Sequence, residues 1–393
     1  MKKLRLSHSQ RETYSLCGKK YFYKYIKKMR PKAKGSALPF GTAFDEATDV
    51  LFNGGSIDEA KDKFTDMWLT VEDNLNVKFA KNDFIAYLLE DTDLDRLELV
   101  AESLNKSKPK DDYLNHKDVR RLIKDLMKLR DNSYVRDLTD EETSFIHFAN
   151  TLCMNRKGRM MMDSFYKDIY PHITKLHGTQ VRISIKHPDG HEVMGYIDVL
   201  CEMEGYKLNN GRVLKAGEVV VLDVKTAGAF SWKKHDNLET APQLDTYLIS
   251  DEVQEIAVQL TGKETNLVGY AVTSKNPIKN SLQICKKCGN VKSGRHATCD
   301  AIVNEERCHG EWDNQDTYYC ESKLVIGERN LDDARLMYED FEDVLVGVQA
   351  KVFPRDRNSC NAFGSVCDYY HVCNKAHKDP EREIQKWRDK YGE

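Results

Sequence analysis

The chain has 393 residues, of which 40% are hydrophobic and 31% charged, so it can bury a core and reads as a soluble protein. With 60 Lys and Arg against 63 Asp and Glu the formal net charge is −3, which excludes a polycation that binds nucleic acid by bulk charge. No stretch approaches 18 consecutive apolar residues, which excludes a membrane-spanning helix.

The opening Met-Lys-Lys-Leu-Arg-Leu turns polar at Ser7-His8-Ser9-Gln10 and lacks the apolar region of a secretory signal. A cytoplasmic, reducing setting is therefore expected, in which eleven cysteines are read as metal ligands rather than disulfides. Charge is uneven along the chain. Residues 1–34 carry twelve Lys and Arg, Arg11, Lys19, Lys20 and Lys24 among them, against the single acid Glu12. Such a local excess can neutralise phosphates.

Ser9 is a fair cap for a first helix running to about Lys28, with Tyr14, Tyr21, Phe22, Tyr23 and Tyr25 interleaved among its lysines. A loop over Pro31–Pro39 follows, and Gly41 opens a second helix to about Phe52. Residues 57–172 read as mostly helical, in segments Ile57–Asn74, Asp95–Leu104, His116–Arg130 and Asp140–Tyr170. The texture then changes. Gln180–Ile185 and Glu192–Cys201 read as a hairpin about the Pro188–Gly190 turn. Glu218–Lys225 is a near-continuous apolar run, the pattern of a strand buried on both faces. A helix over Thr240–Glu255 and a strand over Leu267–Thr273 come next. A cysteine-bearing polar segment, 276–317, precedes a strand at Tyr318–Ile326, a helix at Asp332–Val352 and a cysteine-rich tail.

This order implies an α/β chain with a mixed sheet flanked by helices. The expected division is a basic N-terminal part (1–56), a helical insertion (57–175), a core (176–275 and 318–352) split by a cysteine insertion (276–317), and a cysteine tail (353–393). Neither G-x-G-x-x-G nor G-x4-G-K-[ST] occurs, so a nucleotide-driven motor is not expected.

The chemistry centres on Gly195-Tyr-Ile-Asp198 and, 25 residues on, Val221-Leu-Asp223-Val-Lys225. Asp223 and Lys225 are two apart on a strand and emerge on one face. Asp198 stands near the end of the neighbouring hairpin strand. Converging carboxylates make a hard oxygen site suited to Mg2+ or Mn2+, and an adjacent amine can orient an attacking water.

With its neighbours this set resembles the RecB-type branch of the PD-(D/E)xK nucleases. Ser7 to Cys17 followed by Tyr21 is similar to the family's opening S-x-S-x(7)-C-x(3)-[YF] helix. Gly41-Thr-Ala-Phe-Asp45 is similar to G-x-x-x-H, with aspartate in place of the family's metal-binding histidine. Gly195–Asp198 resembles G-x-[IV]-D, Asp223-Val-Lys225-Thr226 resembles D-x-K-T, and Gln243-Leu-Asp-Thr-Tyr247 resembles Q-x-x-x-Y, all in the family's order. The resemblance spans both ends and the core but not residues 57–172. It implies a restriction-endonuclease-like fold and a metal-dependent deoxyribonuclease, an exonuclease acting on DNA ends in recombination, repair or phage replication. A structure-specific or CRISPR-associated endonuclease is the alternative, and a DNA-binding subunit without cleavage is a further one. Implied roles are Asp45, Asp198 and Asp223 for the metal, Lys225 for catalysis, and Gln243 and Tyr247 for shaping the site. Arg11, Lys19, Lys20 and Lys24 would hold DNA. A helicase or recombination protein is the implied class of partner, in a bacterial or phage-infected cell.

Two cysteine sets complete the reading. Cys285-Lys-Lys-Cys288-Gly with Cys299 and Cys308-His309 has zinc-ribbon spacing, with His296 or His309 able to replace a cysteine. Cys360-x6-Cys367-x5-Cys373 lies in the tail. The family's iron–sulfur branch joins one N-terminal cysteine to three C-terminal ones, which implies a [4Fe–4S] cluster on Cys17, Cys360, Cys367 and Cys373. Its first C-terminal gap is two residues where this chain has six, and a zinc site on the same four is the alternative.

Overall fold

The computed structural model describes residues 3–32, 34–70, 77–79, 93–97, 116–131, 138–186, 190–238, 241–293, 298–299, 301–303, 306–364, 366–375 and 379–392. His296 and most of the expected Asp95–Leu104 helix lie outside the described residues.

Strand β1 (Arg5–Ser7) leads directly into helix α1 (His8–Leu16). The cap is Ser7, two residues before the expected Ser9. The Gln10 N–H donates to Ser7 Oγ and the Ser7 N–H donates to Gln10 Oε1, a reciprocal capping box. The expected long helix then breaks. Cys17 is extended (φ −167°, ψ 109°), after which Gly18–Tyr21 and a π-helical turn over Phe22–Ile26 resume the coil. Close packing explains the break, because a Cβ on Gly18 would stand 2.5 Å from Pro354 Cδ, and the Lys19 N–H donates to the Pro354 carbonyl.

Helix α2 (Ala37–Phe52) starts four residues earlier than expected, with Pro39 in its first turn where no intrahelical donor is needed. Helices α3 (Ile57–Thr70) and α4 (Asp140–Asp168) follow, with His116–Asp131 between them. Part of this helical insertion helps build the core. Phe64 and Trp68 of α3 and Met161, Met162 and Phe165 of α4 pack with Phe40 and Phe44 of α2 on the sheet residues Val220, Leu222 and Val224. Leu94, Val119, Ile123, Phe145 and Ile146 form a separate satellite core.

The central sheet has six strands: β1, β2 (Lys175–Lys186), β3 (Glu192–Glu202), β4 (Val219–Ala227), β5 (Leu267–Ser274) and β6 (Ser322–Glu328). β2 lies antiparallel along nearly the whole of β3. The other edge of β3 is shared: β1 pairs in parallel with Glu192–Met194, and β4 pairs antiparallel with Val199–Glu202. β5 then runs parallel to β4, and β6 antiparallel to β5. The sheet is thus mixed, with helices on both faces. Its first face carries Ile183, Val193, Ile197, Val219 and Val221 against α5 (Pro242–Leu248), α6 (Asp251–Thr261) and α7 (Met337–Gln349). The expected Thr240–Glu255 helix is split between α5 and α6 at Ile249-Ser250.

The expected strand Tyr318–Ile326 also divides. Trp312–Tyr319 pairs with Ile278–Cys285 in the cysteine insertion, and β6 begins only after Cys320. The insertion is therefore an extension of β5 and β6, ending near Tyr319 rather than at 317. At the far end of the chain, α8 (Tyr370–Lys375) and α9 (Pro380–Tyr391) close on the N-terminal segment. Tyr369 Oη donates to the Met29 carbonyl and the Lys32 N–H donates to the Tyr391 carbonyl.

Candidate active site and metal centres

Sharing one edge between β1 and β4 leaves residues 195–198 of β3 without a strand partner on that side. Asp198 sits where β3 and β4 part. The Val224 N–H, which would otherwise lose its ladder partner, donates to Asp198 Oδ2 at 2.8 Å. Across β2, Gln180 falls opposite Asp198 between the registered pairs Val181–Ile197 and Thr179–Val199. Its backbone is left-handed (φ 47°), and its Nε2 donates to Asp198 Oδ1 at 3.4 Å. The carboxylate thus replaces a missing backbone contact and is held from two strands.

Asp223 and Lys225 follow at the open end of β4. They alternate with Leu222 and Val224, which belong to the α2 face, and so point toward the face covered by α5. Asp223 is wholly buried, and Lys225 Nζ lies 2.5 Å from its Oδ2. Its Oδ1 has no hydrogen-bond donor among the described residues. Burial raises the Asp223 carboxyl above its usual range, Lys225 opposes that, and the Asp198 carboxyl adds to it. Burial would lower Lys225, but the Asp223 and Asp198 charges outweigh it and hold the amine firmly protonated.

Asp45 comes from α2 on the opposite face and is half-buried. Burial, followed by the charge of Asp198, pushes its carboxyl up to about 8, with Asp223 a further contributor. Three carboxyl groups from two faces of the sheet therefore share one electrostatic neighbourhood. Two of them resist ionisation, and one buried oxygen lacks a donor. This all-oxygen set fits a hard divalent cation, which would satisfy the buried oxygen and relieve the mutual repulsion. Asp198 and Asp223 lie within side-chain hydrogen-bonding reach of each other, and Asp45 adds its charge from the far face.

On α5, Gln243 Nε2 donates to Tyr247 Oη at 2.5 Å. Tyr247 is buried, its hydroxyl raised by burial and then by the charges of Asp223 and Asp198, and a Cβ on Gly195 would stand 3.4 Å from its ring. The pair walls the site beneath the unpartnered stretch of β3.

Three further side chains reach this neighbourhood without having been singled out from sequence. His8, at the start of α1, is lowered to about 4 by burial, then by Arg11 and Lys225, and its Nδ1 has no partner among the described residues. His235 is likewise lowered to about 4, by burial and then Lys225, and packs edge-on against Tyr270, the register partner of Asp223. Gln180 is the third. Each arrives through strand pairing or a turn that local pattern does not encode.

The basic N-terminal segment behaves differently from expectation. Arg11, expected to face DNA, is buried, and its Nη1 donates to Asp340 Oδ2 on α7 at 2.7 Å. It is a structural residue, because its position on α1 turns it toward α7. The aromatic residues are also internal in large part. Tyr21 stacks on Phe353 and packs edge-on to Tyr14, while Tyr23 packs against Tyr369. Lys24 is exposed over the Tyr25 ring, and Lys19, half-buried like Lys20, lies over Phe22.

The cysteines form two kinds of cluster. Cys285, Cys288, Cys299 and Cys308 lie within 4.8 Å of one another, with Sγ separations of 3.5 Å for 285–308 and 3.6 Å for 288–299. This set can hold a metal without help from a histidine. Cys17, Cys360, Cys367 and Cys373 are drawn together more loosely. Burial raises the Cys373 thiol, Arg355 opposes that, and Cys17, Cys360 and Cys367 all lie close enough to raise it further. Cys153, Cys201 and Cys320 are buried elsewhere, and burial raises the last two.

No protein-family model matches the sequence, and no curated protein matches it.

Proposed function

We propose that the chain is a divalent-metal-dependent deoxyribonuclease of the RecB-type PD-(D/E)xK kind, built on a restriction-endonuclease-like core. One observation carries this reading: a wholly buried aspartate with an oxygen lacking a donor, 2.5 Å from a lysine and beside a second carboxyl at a split in the sheet. A buried carboxyl in that state is expensive to ionise unless a ligand completes it, and perturbed groups clustered this way favour a catalytic role over a structural one.

Asp198 and Asp223, with Asp45 from the other face, would hold Mg2+ or Mn2+. When bound there, such an ion would supply charge neutralisation for a scissile phosphate and for the attacking water. Lys225, kept protonated by its acidic neighbours, holds positive charge beside the phosphate and orients the attacking water. Gln243 and Tyr247 fix the wall on which the strand rests. Lys19, Lys20 and Lys24 add positive charge on the N-terminal segment. The expected activity is exonucleolytic, on DNA ends in recombination, repair or phage replication, in company with a helicase or recombination protein.

The tight thiolate set suits zinc. Tetrahedral coordination at about 2.3 Å per Zn–S bond sets sulfurs about 3.8 Å apart, close to the separations of 3.5 and 3.6 Å. The looser set around Arg355 suits a bulkier [4Fe–4S] cluster, which holds its cysteines at separate corners.

The test is cleavage of end-labelled single- and double-stranded DNA with Mn2+, beside Asp223→Ala. A loss of about a hundred-fold or more is expected in the variant. Equal cleavage by both proteins would overturn the assignment. Cutting of circular DNA would replace the exonuclease by a structure-specific or CRISPR-associated endonuclease.

A further inference from the structure

The three strands β1, β2 and β3 bury one face and leave the other open. Leu6, Ile183, Ile185, Val193 and Ile197 are all buried in the first core. Their alternates are not. Arg5, Lys186, Arg182 and Tyr196 are exposed, and Ser7, Ser184 and Met194 are half-buried. Pairing registers set these alternates in rows: Arg5–Glu192–Lys186, Ser7–Met194–Ser184 and Tyr196–Arg182. The last row stands two residues along β3 from Asp198, the carboxylate at the split in the sheet.

An antiparallel sheet with one wet face is ordinary. The content of this one is not. Tyr196 is 55% exposed, an aromatic at the centre of the face rather than a small polar residue. Arg182 faces it across the ladder, with its Nη2 resting on Met194 Sδ at 3.5 Å. The three rows carry three cations, Arg5, Arg182 and Lys186, and one acid, Glu192, which pairs with Arg5 at 3.0 Å, feels the Arg182 charge and accepts from Ser184 Oγ at 2.6 Å. Positive charge therefore remains on the face. A flat aromatic flanked by cations, on a sheet leading to a phosphodiester-cleaving centre, is complementary to unpaired bases and their phosphates.

We infer that the open face of β1, β2 and β3 is a seat for single-stranded DNA, with a base stacked on Tyr196 and a neighbouring phosphate held by Arg182. The inference rests on the nuclease reading for the identity of the polymer and deepens it by assigning the strand's path. Tyr196 is a binding and positioning residue two places from Asp198, so the stacked base fixes which phosphate reaches the acids. A duplex keeps its bases stacked inside and cannot use the ring in this way. The seat therefore discriminates between single and double strands.

Binding of a fluorescent oligothymidylate to the full chain, in buffer without Mg2+ or Mn2+, isolates this seat from cleavage. Tyr196→Ala should weaken binding about ten-fold or more, whereas Tyr196→Phe, which keeps the ring, should stay within about two-fold. Arg182→Ala should lower the slope of log affinity against log salt by about 0.7. Tyr196→Trp should report stacking through quenching of the added indole emission. Parent-like affinity in Tyr196→Ala overturns the inference, as does duplex binding with the same dependence on residue 196. These outcomes separate from the nuclease test. If Asp223→Ala cleaves normally while Tyr196→Ala has lost the oligonucleotide, the nuclease reading fails and the seat stands. If Asp223→Ala is inert while Tyr196→Ala binds normally, the seat alone fails.

Discussion

His8 illustrates how single side chains at the split are tuned by neighbours both near and distant in sequence. Burial, Arg11 and Lys225 all disfavour its charged form, so its folded value of about 4 lies below the ordinary 6.5. Between those values the unfolded chain binds a proton that the folded chain refuses, and stability must fall as pH drops from about 6.5 toward 4. Urea unfolding across that window should show His8→Gln losing less stability on acidification than the parent, with no such difference above the window. Much of the site itself was legible: Asp198, Asp223, Lys225 and Tyr247 lie in short motifs whose strand and helix spacing places their side chains. His8, His235 and Gln180 were not, because they approach through the β1–β3 pairing, the turn after β4 and a left-handed residue in β2. Arg11 misled for a related reason. Its charge is visible in the sequence, but its partner Asp340 lies 329 positions away.

At the scale of elements, the interruption at Cys17 joins the two ends of the chain. Gly18 lies against Pro354 so closely that a methyl group would meet the proline Cδ at 2.5 Å and the backbone nitrogen at 2.7 Å. Gly18→Ala must push residues 353–354 away and should destabilise the chain by about 1–3 kcal/mol, read as a lower thermal midpoint. Loss should concentrate in Tyr23, Tyr369 and Trp387, which pack across the junction. Helical periodicity located α1 but could not show where it stops, since a run of lysines and tyrosines is compatible with continued helix. The same limit applied to Tyr318–Ile326. Its alternation is strand-like throughout, yet Cys320 turns the chain from one sheet to another.

For the whole molecule, the class of fold followed from element order: a hairpin, an apolar strand, a helix and another strand require helices on both sheet faces. Less readable was the partition of the helical block, where α3 and the second half of α4 finish the main core while Phe145 and Ile146 serve a satellite. The cysteine insertion is the most self-contained part, its small core consisting largely of the four thiols, Ala301 and Trp312. Cys285→Ser should remove the metal held by the four thiols, read by metal analysis, and increase amide exchange over 278–319, leaving β4 and β5 protected.

Two strands meeting end to end along one side of β3 make the width of the opening a matter of counting. Four residues, 195–198, separate the last partner of β1 from the first partner of β4. Lengthening that interval by one would reverse the pleat at Asp198 and send its carboxylate to the wrong side. Shortening it would press Ser7 toward Leu222 and shut the aperture. The width of the opening is thus written as an integer in the chain, one that evolution can alter only in steps of a whole residue.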